Sequence, residues 1–193
     1  MRWLLAFFRR QRGTLTKVYP WTPPQEAYLQ VTCDASPWGI GGVLFVQGAP
    51  AAWFADDLQQ CDLDRFQATK GDSAFTTVWE ALAILVALRL WRQPRHLHAA
   101  FAVRSDSLGA LRALSKKGSG TRGVGLILRE LSLEEAELGL GIRSLTHIPG
   151  MSNTWADALS RLTAPEAKAL PGPLKGIPRS AAPPRTKSWW LTL

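Results

Sequence analysis

The tightest constraint in this chain is an acid at the end of an apolar strand. In Tyr28–Val46, YLQVTCDASPWGIGGVLFV, the residues Leu29, Val31 and Cys33 alternate with Gln30 and Thr32, the period-two pattern of a half-buried strand. Asp34 falls where that strand ends rather than in a loop. Ser36-Pro37-Trp38-Gly39 then supplies the Pro and Gly chemistry of a tight reversal. Val43-Leu44-Phe45-Val46 reads as a second strand returning antiparallel. A carboxylate fixed at a strand end needs partners, and the remaining sequence must supply them.

With 193 residues, 46% apolar content and nine Trp, the chain can bury one domain-sized core. Cys33 and Cys61 form neither a disulfide framework nor a metal-ligand spacing, which fits a reducing compartment and points away from zinc. The net charge of +8 is carried by the ends. Residues 1–20 hold five cations and no acid, and residues 163–193 come to +4, so residues 21–162 are left at −1. Basic arms around a nearly neutral centre suit long-range attraction to a polyanion.

The run Trp3–Phe8 is six residues long and is followed by Arg9, Arg10 and Arg12, too short for a signal peptide and lacking its small-residue cleavage site. A short amphipathic helix ending at Gly13 is expected there, then a Pro-rich connector, KVYPWTPP, with the compact domain starting near Gln25. No membrane span is expected, and the protein is read as intracellular, cytoplasmic or nuclear, and not secreted.

Ala49–Phe54 reads as a third strand and residues 56–71 as a solvated loop with at most a helical turn. Thr76–Trp91 is rich in Ala and Leu, lacks Gly and Pro and is apolar on nearly every face, which predicts a buried helix. Phe101–Ser105 is a short strand ending at Asp106, and Ser107–Leu114 a helix. KKGSGTRG, residues 116–123, reads as a solvated basic loop. Leu126–Ala136 is an amphipathic helix whose Glu130, Glu134, Glu135 and neighbouring Glu137 are assigned to its wet face. Ile142–His147 is a last strand and Thr154–Leu162 a last helix. This order predicts an α/β domain with a mixed sheet flanked by helices.

Four acids stand out, and each also has a local explanation. Asp34 can be an Asx-turn residue. Glu80 follows Thr77 by three and Asp157 follows Thr154 by three, the spacing of a capping box. Asp106, between two serines, can cap the helix after it. Their joint pattern has no such explanation: two sit at strand ends and two in the first turns of apolar helices that pack on the sheet. Buried carboxylates repel one another and need cations. Oxygen-only ligands favour Mg²⁺ or Mn²⁺.

VTCDASPWGIGGVL, WEALAILVAL, VRSDSLGAL and HIPGMSNTWADALSRL, in that order, resemble the ribonuclease H domain of retroelement (LTR- or DIRS-like) reverse transcriptase polyproteins over roughly Gln25–Leu162. The resemblance implies the ribonuclease H-like fold with a mixed five-stranded sheet. It further implies metal-dependent hydrolysis of the RNA strand of an RNA–DNA hybrid, with two Mg²⁺ ions that Mn²⁺ can replace. Asp34, Glu80, Asp106 and Asp157 match the family's metal-binding acids, Asp34 bridging the ions. His147, ten residues before Asp157, matches a loop histidine that helps product leave. Ser36 and Asn153 fall where family members contact nucleic acid or support the site, and Ser107 lies near the groups that would read 2′-hydroxyls.

On the same resemblance, residues 1–24 look like the end of a polymerase region, making an upstream reverse transcriptase domain a partner. Residues 163–193 look like a basic, Pro-rich, disordered linker. Family members that grip the hybrid with a basic helix carry it where this chain has only Ser115–Gly123, so the polymerase would supply affinity. Two other readings remain open at this point: a non-catalytic nucleic-acid-binding or relic module, and another two-metal nuclease on the same fold.

Overall fold

Eleven consecutive residues, Val78–Leu88, are buried in one helix, and the rest of the protein is layered around it. The computed structural model describes Leu4, Leu5, Phe8 and residues 29–92, 100–138 and 141–192. The strands are β1 (Leu29–Ala35), β2 (Gly39–Val46), β3 (Ala49–Asp57), β4 (Ala100–Ser105) and β5 (Gly141–His147). The helices are α1 (Gln60–Phe66), α2 (Thr76–Leu90), α3 (Leu108–Lys116), α4 (Val124–Leu138) and α5 (Thr154–Ser160). The N-terminal amphipathic helix and the Pro-rich connector lie outside the described residues, apart from Leu4, Leu5 and Phe8, which are helical and exposed.

The sheet order is β3-β2-β1-β4-β5, antiparallel through β1, β2 and β3 and parallel from β1 to β4 to β5. This is the expected mixed five-stranded sheet. Side chains alternate across it. Val31, Cys33 and Ala35 join the core under α2, while Val43, Trp53 and Ala55 pack with Leu159 of α5 on the opposite face. Ser73–Leu90 has the length and mean hydropathy, 1.5, of a membrane-crossing segment. Here its apolar surface is spent on the sheet, α3 and α4.

β2 begins at Gly39, inside what the sequence assigns to the turn. The reason is close approach. A Cβ on Gly41 would lie 2.5 Å from the Leu159 Cβ and 2.7 Å from the Ser160 nitrogen, so glycine is the residue that lets α5 rest directly on β2.

Three expectations are corrected. Residues 163–192 of the expected disordered tail are ordered on the domain. The segment from Ile177 to Ser180 runs along the exposed edge of β3: the Trp53 N–H donates to Pro178 O at 3.1 Å and the Ser180 N–H to Trp53 O at 2.7 Å, covering an edge that would otherwise offer unpaired backbone groups. Further on, Trp190 enters the core beside Phe66. The packed unit therefore runs past Leu162 to Thr192.

Residues 56–71 are not a plain solvated loop, because they contain α1 and a fully buried Asp62. Arg185 from the tail meets it: its Nε donates to both Asp62 oxygens at 2.9 Å, its Nη1 to Asp56 at 2.6 Å and its Nη2 to Asp57 O at 2.9 Å. The third correction concerns α4. Glu130 is 0% and Glu134 2% exposed, so neither is on a wet face. Arg89 donates to both, Arg92 donates to Glu134, and Glu130 also accepts the N–H groups of Leu191 and Thr192. Glu135 is only partly buried and pairs with Lys117, and the Glu137 side chain lies outside the described residues.

Removing one partner of a buried pair strands the other charge in low dielectric. Arg185→Ala is expected to destabilise the protein by about 3–5 kcal/mol. Denaturant unfolding of Arg185→Ala, beside the apolar pair Arg185→Met with Asp62→Leu, checks this: the double variant should recover most of the loss.

Candidate active site

None of the four acids serves the local role that its spacing offered. The turn after β1 is built by Ser36, whose Oγ accepts from the N–H groups of Trp38 at 3.2 Å and Gly39 at 3.1 Å. α3 is capped by Ser107, which accepts from the Ala110 N–H at 3.3 Å. α2 starts at Thr76 with Phe75 at its N-cap, and α5 starts at Thr154 with Asn153 at its N-cap. Thr77 and Thr154 are thus already helical, and neither Glu80 nor Asp157 closes a capping box. The carboxylates are left for other work.

β1, α2 and the end of β4 bring three of them together. Asp34, Glu80 and Asp106 each present an oxygen, and these oxygens all lie within 4.8 Å of one another. Asp34 accepts from Ser160 Oγ at 2.6 Å. Glu80, buried in the second turn of α2, lies 3.5 Å from Ser105 Oγ. Asp106 accepts from Asn153 Nδ2 at 3.0 Å, and Gly150 leaves room behind it, since a Cβ there would come within 3.2 Å of Oδ2.

The electrostatics follow from this crowding. Burial, with Asp106 and Asp157 adding repulsion against the Ser160 hydrogen bond, pushes the Asp34 carboxyl up to about 7. Burial, then Asp34 and Asp106, hold Glu80 well above the ordinary carboxylate range. No described cation pairs with any of these three acids. Such a cluster is suited to an external cation and an all-oxygen ligand set.

Asp157 stands beside the cluster rather than within it. From the first turn of α5, its Oδ1 accepts from Arg161 Nε at 2.8 Å and its Oδ2 from the Lys168 ammonium. Burial works against its charge, but these two donors prevail and hold its carboxyl below the usual range. Asp34 still feels its charge.

The other expected site residues separate by exposure. Ser36 is 0% exposed and its hydroxyl donates to Ser160 O at 2.7 Å, which corrects any direct contact of that side chain with nucleic acid and leaves the supporting role. Asn153 is equally buried, its Nδ2 donating to Cys33 O at 3.2 Å as well as to Asp106. Ser107 is half-buried at the α3 N-terminus, and His147 is exposed at the end of β5, in register with Ser105. Sequence reasoning missed Ser160. The available signal was its position three residues after Asp157, on the same helix face.

No protein-family model matches the chain, and no curated protein matches it. Among solved structures it is similar to RNase H1 from the halophilic archaeon Halobacterium salinarum NRC-1, at TM-score 0.53 and 20% identity over 72% of this chain and 99% of that one. LC11-RNase H1, isolated from compost by a metagenomic approach, matches at TM-score 0.53 and 17% identity over 69% of this chain and 93% of that one. The chain therefore has the ribonuclease H fold.

The Asp34 shift fixes a pH dependence. Its folded value exceeds its unfolded one, so the group costs nothing below about pH 4, where both states are protonated. Stability then falls as pH rises from there through about 7. Metal-free protein is expected to melt lower at pH 8 than at pH 5, and Asp34→Asn to raise the midpoint at pH 8. Each kcal/mol is worth roughly 2–4 °C in a domain of this size. Calorimetry in EDTA and in Mg²⁺ checks it; identical midpoints for both proteins in all four conditions would remove the repulsion argument.

Proposed function

We propose that the chain is a metal-dependent endonuclease that hydrolyses the RNA strand of RNA–DNA hybrids, working as the ribonuclease H part of a retroelement reverse transcriptase. The observation that carries this reading is the meeting of Asp34, Glu80 and Asp106 within 4.8 Å on a fold shared with two RNase H1 proteins. The retroelement setting rests on the four sequence motifs and on the flanking segments. It makes a reverse transcriptase domain, whose end residues 1–24 resemble, the natural partner and an intracellular site, cytoplasmic or nuclear, the place of action.

The donor chemistry fits divalent metal. Two buried carboxylates and a half-buried third, without a described cation paired to them, are unfavourable unless neutralised, and oxygen-only ligands suit Mg²⁺, with Mn²⁺ as a substitute. Asp34, Glu80 and Asp106 would hold one ion, and Asp34 with Asp157 a second, Asp157 exchanging Arg161 and Lys168 for it. Bound metal supplies neutralisation, activation of water and stabilisation of the leaving oxygen.

The chain's own residues do the positioning. Ser160 holds one oxygen of Asp34 and Asn153 one oxygen of Asp106, so the acids are oriented before substrate arrives. Ser36 fixes the helix that carries Ser160 and Asp157. His147, exposed at the end of β5, would help product leave. Backbone and small polar groups around Ser107 would read the 2′-hydroxyls that distinguish RNA from DNA.

Cleavage of a labelled RNA–DNA hybrid in Mg²⁺, Mn²⁺ and EDTA tests the reading. RNA-strand cutting is expected in either metal and not in EDTA. Asp34→Asn should lower the rate by about 10³-fold or more, since metal stabilisation is worth several kcal/mol and each 1.4 kcal/mol is about tenfold. Equal cutting of duplex DNA would instead make the chain a different nuclease, and silence from folded protein in both metals would make it a binding module.

A further inference from the structure

Beside the acid cluster lies a cleft of about 220 Å³ with the opposite electrostatic character. It opens on the α5 face of the sheet. Thr32 and Arg104 come from neighbouring positions of β1 and β4, Ser152 from the 3-10 turn before α5, Thr154 and Trp155 from the start of α5, and Phe45 from β2. No carboxylate lines it, and its one cation, Arg104, is half-buried with no hydrogen bond or ion pair to any described residue. An unpaired guanidinium among hydroxyls and an aromatic wall has the makings of a phosphate contact. Trp155 is itself held by stacking on Phe45, centroids 6.0 Å apart at 15°.

The cleft and the acid site share their scaffolding. Thr32 precedes Asp34 by two on β1, and Arg104 precedes Asp106 by two at the end of β4. Two strand residues advance about 7 Å along one face, so cleft and acids are successive stations on the same strands. Asn153 stands at the boundary. Its Nδ2 holds Asp106, and its Oδ1 is buried without a partner among the described residues, an acceptor open to an O–H or N–H donor.

We infer that this cleft is a nucleotide subsite, in which Arg104 holds the phosphate of a nucleotide adjoining the scissile one and Trp155 supports its sugar or base. Its size suits part of one nucleotide rather than a larger ligand. The inference rests on the nuclease reading for its substrate, yet it concerns binding and not turnover. Phosphate contacts position a strand without reading its sequence, so the subsite would set the register of cleavage.

The test is binding of a fluorescent RNA–DNA hybrid to the full chain in EDTA, across a salt series, for wild type, Arg104→Lys and Arg104→Glu, with circular dichroism confirming the fold. Arg104→Glu is expected to weaken binding about tenfold or more, and to lower the salt slope by about one unit, as loss of a phosphate contact does. Arg104→Lys should fall between. Unchanged affinity and slope in Arg104→Glu overturns the subsite, as does a wild type without measurable affinity. NMR titration with adenosine 5′-monophosphate and with inorganic phosphate adds the second readout. Shifts at the Trp155 indole with the nucleotide alone support the subsite, and equal shifts with both reduce it to a bare anion site and overturn it. Arg104-dependent binding without cleavage would sink the nuclease reading and leave the subsite standing. Cleavage with binding indifferent to Arg104 would do the reverse.

Discussion

The arrangement of the acid cluster depends on one steric fact, that nothing larger than a hydrogen fits between β2 and α5. At Gly41 a Cβ would collide with Leu159 and Ser160, and at Gly39 it would come 2.8 Å from Asp56 O and 3.0 Å from Ser160 O. Backbone rests on backbone, and that contact brings Ser160 within 2.6 Å of Asp34 and its carbonyl within 2.7 Å of the Ser36 hydroxyl. The turn after β1, the helix that carries Asp157 and the carboxylate at the strand end are thereby held in one hydrogen-bonded chain.

The buried acids of this protein divide cleanly by what faces them. Asp62, Glu130 and Glu134 are met by Arg185, Arg89 and Arg92, so their charges are matched inside the fold. Asp34 and Glu80 are also buried, yet neither forms an ion pair with a described cation; Asp34 feels Arg161 only at a distance, and the groups nearest to both are other acids, hydroxyls and backbone. Among the described residues, the arginines that neutralise buried acids elsewhere have no counterpart paired to that cluster, Arg161 being spent on Asp157. Uncompensated burial is a standing cost, and a chain that bears it in one place while avoiding it elsewhere makes that place the candidate site. Asp157, held by Arg161 and Lys168 at the cluster's margin, is intermediate between the two kinds.

Much of this was legible in the sequence because it is local. The alternation that ends at Asp34 and the Ala- and Leu-rich run around Glu80 each declare an element and its burial within a dozen residues. The gathering of Asp34, Glu80 and Asp106 was legible only through the order of the motifs, since no spacing says that β4 lies beside β1. The tail was illegible: residues 163–192 have no period, and Arg185 finds Asp62 across 123 positions. Glu130 and Glu134 misled for a related reason. A helical pattern shows which residues share a face but not whether arginines wait opposite. Ser36 was placed by the family resemblance alone, as a nucleic-acid contact or a support, and the distant carbonyl to which it donates left no trace nearby.

That same long separation governs how the protein is made. A nascent chain leaves the ribosome N-terminus first, so β1 through α5 can assemble while Asp62 still lacks Arg185 and Glu130 still lacks the amides of Leu191 and Thr192. Until residues 163–192 emerge, a partly assembled sheet presents an uncovered β3 edge and an unfilled place for Trp190, the kind of surface that binds chaperones or sticks to its neighbours. Completion of this domain thus waits on residues 163–192, which are synthesised after the whole sheet and α5.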